Sequence, residues 1–145
     1  MSERHPLKRK SIKPSSSTVR GMLPAKQHKV LEAAMQGLRA IGLRFEWVWR
    51  GQRVGWVSTG YVDETVVCEL YPTEEPVVGK VKLTPDQIER AKEAKQILTK
   101  FKKVLDFPIE VEKGKNVYEF DLAQRVMRDL FSEFVEQLRP VLEDD

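Results

Sequence analysis

The sequence predicts an α+β domain, in which an antiparallel sheet packs against three α-helices. Alternation of apolar and polar residues marks strands in two parts of the chain, 43–83 and 107–120, and helical apolar spacing marks three other segments. Runs of strands separated by helices, without strict strand-helix alternation, are typical of this class. The predicted element order is α-ββββ-α-ββ-α: an antiparallel meander of about four strands plus a C-terminal β-hairpin.

Length and composition indicate one soluble domain. The chain has 145 residues, of which 41% are hydrophobic and 32% are charged, which suffices for one core but not for two comfortable domains. Its longest apolar runs are far from the roughly 20 residues that a bilayer requires. The first residues lack the apolar stretch of a secretory signal. We therefore expect a cytoplasmic protein without membrane contact.

The positive charge is concentrated at the N-terminus. Residues 1–20 contain six basic residues against Glu3, a net charge of +5, whereas the whole chain is +3, so the remainder carries −2. Residues 1–22 offer almost nothing to bury, and we predict a disordered basic tail there. The predicted globular domain spans residues 23–142, and residues 143–145 form a short acidic end.

A first helix is predicted after Pro24, because apolar residues recur there at spacings of three and four. Gly42 then stands where a left-handed C-terminal cap belongs. The apolar positions of this helix are Val30, Leu31, Ala34, Leu38 and Ile41.

Residues 43–61 contain all three tryptophans and predict a hairpin with one aromatic face. Gly51-Gln52 suits a two-residue type II′ turn, which would place Trp47 opposite Trp56. We expect the helices to cover this face, since it gathers the large apolar side chains of the meander. Its members are Phe45, Trp47, Trp49, Trp56, Cys68 and Leu70.

The next turn has two alternatives. A three-residue loop at 62–64 would place Leu70 opposite Trp56 and keep the aromatic face apolar, whereas a two-residue loop would set Glu69 beside Ser58 on that face. We favour the three-residue loop for this reason. A turn at 72–76 then leads to a fourth strand, in which Val77, Gly79, Val81 and Leu83 alternate with Val78, Lys80 and Lys82.

Thr84-Pro85-Asp86-Gln87 predicts the start of a second helix, because Thr84 can cap the N-terminus and Gln87 can complete a capping box. We expect this helix to run to about Val104. Its inward stripe is Ile88, Ala91, Leu98, Phe101 and Leu105, and its outer side carries Lys92, Lys95, Lys102 and Lys103. The basic residues also suit the helix dipole.

A second hairpin is predicted between residues 107 and 120, with Lys113-Gly114 as a two-residue loop. This register pairs Glu112 with Lys115, and extends to pairs of Ile109 with Tyr118 and of Phe107 with Phe120. A four-residue loop would instead set two glutamates opposite each other, which costs stability.

The last helix is predicted to begin at a cap formed by Asp121, with Gln124 three positions on, and to end at Pro140. Its apolar face is wider than a surface helix needs. Either the helix lies deep between layers, or part of this face meets a partner. The wide face consists of Leu122, Val126, Met127, Leu130, Phe131, Phe134, Val135 and Leu138.

No pattern points to catalysis, a cofactor or a metal. Phosphate-binding glycine motifs are missing, and His5, His28 and Cys68 are the only histidines and cysteine, too few for a zinc site or a histidine-based triad. Cys68 lies in a strand-like run, and we predict a packing role for it. The adjacent carboxylates Asp63-Glu64, Glu74-Glu75 and Asp144-Asp145 lie in turns or at the terminus. We expect a non-enzymatic protein.

The leading functional hypothesis is protein binding or self-association. The sheet face opposite the aromatic one mixes charged and apolar residues beyond what solvent exposure favours, unless a helix covers it. The element order is also similar to that of small secretion-chaperone-like domains, which bind protein partners; this similarity lies in element order alone. The candidate partner-binding residues are Arg44, Val48, Val57, Tyr61, Val67, Tyr71, Phe131 and Val135.

The alternative hypothesis is nucleic-acid binding. Basic residues in the tail could contact phosphates, and further cations at the first hairpin tip and on the second helix could position them. A purely solubilising tail explains the same charges without a partner. The candidate phosphate contacts are Lys8, Arg9, Lys10, Arg50, Arg53, Lys92 and Lys95.

Overall fold

Six antiparallel strands form one sheet in the order β1-β2-β3-β4-β6-β5. The computed structural model describes residues 6–15, 18–73 and 76–143. The strands are β1 (Arg44–Trp49), β2 (Trp56–Val62), β3 (Thr65–Tyr71), β4 (Val78–Leu83), β5 (Glu110–Glu112) and β6 (Lys115–Asp121). The helices are α1 (Ala25–Arg39), α2 (Pro85–Glu93), α3 (Thr99–Val104) and α4 (Arg125–Glu143). β1 and β5 are therefore the two edges of the sheet.

The predicted α+β class is confirmed, with two differences in detail. The C-terminal hairpin joins the meander, because β6 pairs with β4 from Val78↔Asp121 to Leu83↔Asn116. Both groups of strands consequently share one sheet. The described residues also contain four α-helices where the sequence predicts three, since the second predicted helix is divided into α2 and α3.

All four helices pack on one face of the sheet. A single core cluster contains buried side chains from every helix together with Val81 of β4 and Tyr118 of β6. Its centre is aromatic: the ring centroid of Phe134 in α4 lies 5.2 Å from that of Phe120 and 5.4 Å from that of Phe101. A smaller cluster on the opposite face contains no helical residue. We call the two sides the covered face and the open face.

The tryptophan hairpin has the predicted face but another register. Trp49, rather than Trp47, lies opposite Trp56, and the two rings meet edge to face at 5.5 Å. The loop spans residues 50–55 and contains two glycines at positive φ, so the predicted two-residue loop is wrong. Because the shift is by two residues, every side chain keeps its face. Trp56 is buried, and the other two tryptophans pack half-buried against the core.

A bulge at Val67 of β3 combines the two alternatives for the next turn. Residues 63–64 form a two-residue loop, so the predicted three-residue loop is wrong. A register shift between Tyr61 and Gly60 then leaves Val67 of β3 as an extra residue and sets Ser58 opposite Leu70. A bulge reverses the alternation that the shorter loop would impose. Leu70 therefore stays on the covered face and Glu69 points to the open face.

The capping box of α2 is present. Thr84 N–H donates to Gln87 Oε1 at 2.9 Å, and Gln87 N–H donates to Thr84 Oγ1 at 3.1 Å. Local sequence fixes this helix start, since both partners lie within one turn.

The predicted second helix does not run unbroken to Val104. Ala94 adopts an extended conformation and ends α2. The break buries Ile97 and leaves Leu98, which we placed in the inward stripe, largely exposed. Leu98 N–H donates to Gln137 Oε1 of α4 at 2.7 Å. A contact with a distant helix thus stabilises a conformation that local spacing did not indicate.

The last helix begins and ends later than predicted. Asp121 Oδ1 accepts a hydrogen bond from Ala123 N–H in a turn before α4, so it is not the helix cap. Pro140 lies inside α4, and the prediction that it ends the helix is wrong. Val141 and Leu142 beyond it are buried, and their burial offsets the backbone hydrogen bond that proline cannot make. Within the described parts of the chain, no helix has both the length and the apolar character needed to cross a membrane.

Part of the predicted tail lies against the domain. Leu7 and Val19 belong to the main core, and Trp56 Nε1–H donates to Arg9 O at 2.9 Å. Gly55 permits this approach, since a Cβ there would collide with the Leu7 carbonyl oxygen. In residues 6–15 and 18–22 the structure therefore differs from the expected unpacked segment. The packing partners are far away in sequence, and composition alone does not indicate them.

The second hairpin has the predicted register, with Glu112 opposite Lys115 across the Lys113-Gly114 loop. The like-charge alternative is therefore wrong. The paired length of β5 is short, however, and Phe107 lies before the strand begins. The apolar residues Phe107 and Ile109 therefore lie before the paired part of β5.

Candidate functional site

The open face carries a chain of ion pairs that reaches from the end of β1 to β5. Arg50 Nη2 lies 2.8 Å from Glu69 Oε2, and Lys82 Nζ lies 3.1 Å from Glu69 Oε1. Lys82 Nζ also lies 3.3 Å from Glu112 Oε1. The chain therefore connects the two edges of the sheet through β3 and β4.

Glu69 is the buried centre of this chain, with a side chain only 4% exposed. Its Oε2 accepts no hydrogen bond from the described residues, so Arg50 stabilises that oxygen through charge alone. Burial, and secondarily the Glu69 charge, raise the pKa of both Cys68 and Tyr71. A buried thiol that retains its proton is a poor nucleophile. This environment suits a packing role for Cys68.

Apolar residues on the open face are mostly buried against one another. Val57, Tyr71 and Val78 form one cluster with half-buried Val54. The Nζ of Lys80 lies 4.4 Å from the centroid of the Tyr71 ring. Two residues that we predicted to bind a partner, Val57 and Tyr71, are therefore inaccessible in this conformation. No helix in the described parts of the chain packs in this cluster, so the alternative of a helix-covered second face does not describe them.

Three predicted partner-binding residues on β1 and β2 remain accessible. Arg44 is exposed, and its guanidinium carbon lies 4.7 Å from the centroid of the half-buried Tyr61 ring. Val48 is also half-buried. Val67 of β3 is buried and packs with the main core, so it does not join this group.

The predicted partner-binding residues of the last helix, Phe131 and Val135, are fully buried. Phe131 lies directly on β4, where a Cβ at Gly79 would approach its ring to 2.7 Å. The position of α4 over the middle of the sheet thus explains most of its wide apolar face, whereas Val126 near the helix start is 70% exposed. Of the two alternatives that the sequence left open, the deep position is the observed one.

The sequence analysis missed the largest exposed apolar group, which lies at the β5 edge. Phe107 is 77% exposed, Ile109 is 52% exposed and Val111 is 69% exposed. Val111 lies within β5, whereas Ile109 stands at a bend just before the strand and Phe107 precedes that bend, so the three residues are neighbours at the same end of the sheet edge. We call them the β5 ledge. Their spacing was visible in the sequence, but the edge position of β5 follows only from the pairing of β6 with β4.

Val111 of the β5 ledge continues the covered face beyond the helices. Val111 pairs with Asn116, and Asn116 pairs with Leu83 of the core. Directly paired residues lie on the same side of a sheet, so Val111 shares the side of buried Leu83. The intervening residues, Glu110 and Glu112, lie on the open face. The helical layer therefore ends before the apolar sheet face does.

Five of the seven predicted phosphate contacts lie at one end of the sheet. Lys8, Arg9 and Lys10 belong to the N-terminal segment that packs against the 50–55 loop, which carries Arg50 and Arg53. Arg50 is paired with Glu69, whereas the other four make no ion pair with a residue that the structure describes.

The two remaining predicted phosphate contacts lie elsewhere, in and just after the second helix. Lys92 lies in α2 and forms an ion pair with Asp106, and Lys95 follows that helix. They are not part of the basic cluster at the 50–55 loop, which we define as Lys8, Arg9, Lys10 and Arg53.

The described residues offer no metal site. In the ranges 6–15, 18–73 and 76–143, no three His, Cys, Asp or Glu side chains come together in a way that could hold a metal ion. His28 Nε2 lies 3.7 Å from Glu32 Oε1 on the same helix. His5 and the pairs Glu74-Glu75 and Asp144-Asp145 lie outside the described residues.

Comparison with known proteins adds no assignment. No family model, no curated protein and no solved structure matches this chain.

Proposed function

We propose that this protein is a non-catalytic protein-binding module and that the β5 ledge is its contact surface. The observation that carries the proposal is the exposure of Phe107, Ile109 and Val111, which are neighbours in sequence at and just before the edge strand β5. Burying a side chain of this kind is worth about 1.5–3 kcal/mol. Contiguous exposed apolar residues typically mark interaction sites. A partner that covers the ledge would recover that free energy.

The structure changes which of our predicted residues support the proposal. Val57, Val67, Tyr71, Phe131 and Val135 contribute to internal packing, and the proposal does not depend on them. Arg44, Val48 and Tyr61 near the opposite edge can form a secondary contact. We place the function in the cytoplasm, as the sequence predicts, and cell fractionation would check that location.

A ledge variant tests the proposal. The variant combines Phe107→Ser, Ile109→Thr and Val111→Thr, and its control is Val66→Thr, which changes an exposed valine of β3. Light scattering and affinity capture should reveal a complex or a dimer for the wild type and the control but not for the ledge variant. A complex that survives in the ledge variant, or a wild type that neither self-associates nor retains a partner, would contradict the proposal.

Nucleic-acid binding is a second candidate function. It is supported by one observation, the position of Lys8, Arg9 and Lys10 beside Arg53 without ion pairs to described residues. Such a cluster can replace the counterions of several phosphates.

The test of this second candidate is the salt dependence of binding to generic single-stranded DNA or RNA. Glutamine at Lys8, Arg9 and Lys10 should reduce the slope of log K against log salt by about 0.7 for each lost phosphate contact. Glutamine at Lys92 and Lys95 is the matched control and should leave the slope unchanged. Binding that does not respond to salt, or that weakens equally in both variants, counts against this function.

A further inference from the structure

We infer that the β5 ledge accepts an extended partner segment in which apolar and basic residues alternate, and that this segment adds to the sheet beside β5. The inference rests on the proposed function and specifies the class of partner. Three features of the edge support it: the side chains on the covered face, the charges on the open face, and the free backbone edge.

The side chains on the covered face determine which residues of the partner strand should be apolar. Val111 extends the row of core side chains and is 69% exposed, and Ile109 just before the strand is 52% exposed. A strand that lies next to β5 places every second side chain on this same side. If those side chains are aliphatic or aromatic, they continue the core over the ledge and shield Phe107 as well.

The charges on the open face determine which residues of the partner strand should be basic. Glu110 and Glu112 alternate with the ledge residues, and the Glu112 side chain is 45% exposed although it pairs with Lys82. Glu110 is exposed and makes no ion pair with a residue that the structure describes. Opposite charges at directly facing positions of neighbouring strands are favourable, whereas like charges are unfavourable. Lysine or arginine therefore fits the partner positions that face these two glutamates.

The same charges disfavour a second copy of the chain as the occupant. Two β5 strands paired edge to edge would place glutamates of both copies on one face of the extended sheet. Like charges that face each other across strands cost stability. Charge complementarity therefore favours a partner of different sequence.

The backbone supports strand addition rather than a simple hydrophobic contact. β5 pairs only with β6 among the described strands. In an antiparallel pair, the N–H and C=O groups of every second residue point away from the neighbour. The free part of this edge is short, because Pro108 and Lys113 flank it and Ile109 N–H already donates to Val117 O at 2.9 Å. It is therefore confined to residues 110–112. Peptide recognition by strand addition uses such an edge.

Fluorescence anisotropy with synthetic peptides tests the inference on the intact protein. One peptide alternates valine with lysine, a second alternates valine with glutamate, and two more are valine-lysine peptides N-methylated at either set of alternate residues. The valine-lysine peptide should bind at least about tenfold more tightly than the valine-glutamate peptide. One N-methylated peptide should lose binding and the other should retain it, because only one set of amides faces β5.

Variants assign the binding to β5. The double change Ile109→Ser and Val111→Ser should abolish binding of the valine-lysine peptide. Glu110→Lys with Glu112→Lys should reverse the preference toward the valine-glutamate peptide. Circular dichroism of each variant establishes that it is folded, and the wild-type peptide series alone remains decisive if a variant does not fold.

The outcomes separate the inference from the proposed function. Equal binding of both charge types, or binding by both N-methylated peptides, would overturn the inference. A ledge-dependent homodimer that the valine-lysine peptide does not displace would also overturn it, in favour of a second copy. In both cases the ledge variant would still lose its complex, and the proposed function would stand. If the ledge variant behaves as the wild type in every assay, the proposed function fails as well.

Discussion

The covered face of the sheet has two regions with the same sequence pattern and opposite surroundings. In the middle, Tyr118 and Phe120 of β6 alternate with polar residues and are buried beneath α4. At the edge, Ile109 and Val111 alternate with glutamates in the same way, yet no helix covers them. Alternation therefore predicts which side of a strand is apolar, but the reach of the helical layer decides which apolar residues remain accessible. The first region provides stability, and we assign recognition to the second.

The largest expected effect is at the centre of the covered region. Phe134 is fully buried and packs against Phe101, Tyr118 and Phe120. Phe134→Ala should lower the free energy of unfolding by about 3–5 kcal/mol, because it removes a buried ring and leaves a cavity. Urea denaturation measures this loss. A loss below about 1 kcal/mol would mean that α4 does not pack on the sheet as described.

Gly79→Ala should have a smaller effect on the same region. Its Cβ would lie 2.7 Å from the Phe131 ring, so the ring or the strand must shift, at a cost of about 1–3 kcal/mol. Gly21→Ala is the matched control, because a Cβ there meets no atom within 4 Å. The two melting curves should separate clearly, and their coincidence would argue against close contact between Phe131 and β4.

Alkaline pH should weaken the open face. Burial, with the charge of Glu69, raises the pKa of Tyr71 above its ordinary value of about 10. The folded protein then holds the phenol proton more tightly than the unfolded chain does. The protonated Tyr71 phenol therefore contributes fully to the free energy of unfolding below about pH 10, and this contribution is lost as the pH rises further.

Urea titrations between about pH 8 and about pH 11 check this decline. Tyr71→Phe should reduce this decline, and Tyr61→Phe, a half-buried tyrosine on the same face, is the matched control. A Tyr71→Phe protein with an unchanged pH dependence would contradict the buried position of the phenol.

The smallest effect on stability is expected at the edge. Ile109→Ser with Val111→Ser should change the free energy of unfolding by no more than about 0.5 kcal/mol per residue, since both side chains already face solvent. The same double variant should lose partner binding. A large destabilisation would instead show that the ledge belongs to the core.

Local signals in the sequence predicted the elements, whereas distant contacts determined several of their ends. The Thr84–Gln87 capping box and the Lys113-Gly114 hairpin involve neighbouring residues, and both are present as predicted. The break after α2 depends on Gln137. Patterns within one segment do not contain the information for such a contact.

Two further differences have the same origin. The continuation of α4 through Pro140 depends on burial of the residues beyond it, and the packing of Leu7 depends on space beside Gly55. The candidate site was missed for a related reason. Alternation at 107–111 predicted a strand, but its exposure follows from the strand order and from where the helices end.

Amide hydrogen exchange of the intact protein, with and without the valine-lysine peptide, tests most directly whether the β5 edge is a recognition surface. Our account predicts that the peptide slows exchange in residues 107–112 and leaves the β1 edge unchanged, because strand addition supplies new acceptors only to β5. Unchanged exchange in residues 107–112 at saturating peptide, or protection confined to β1, would contradict it.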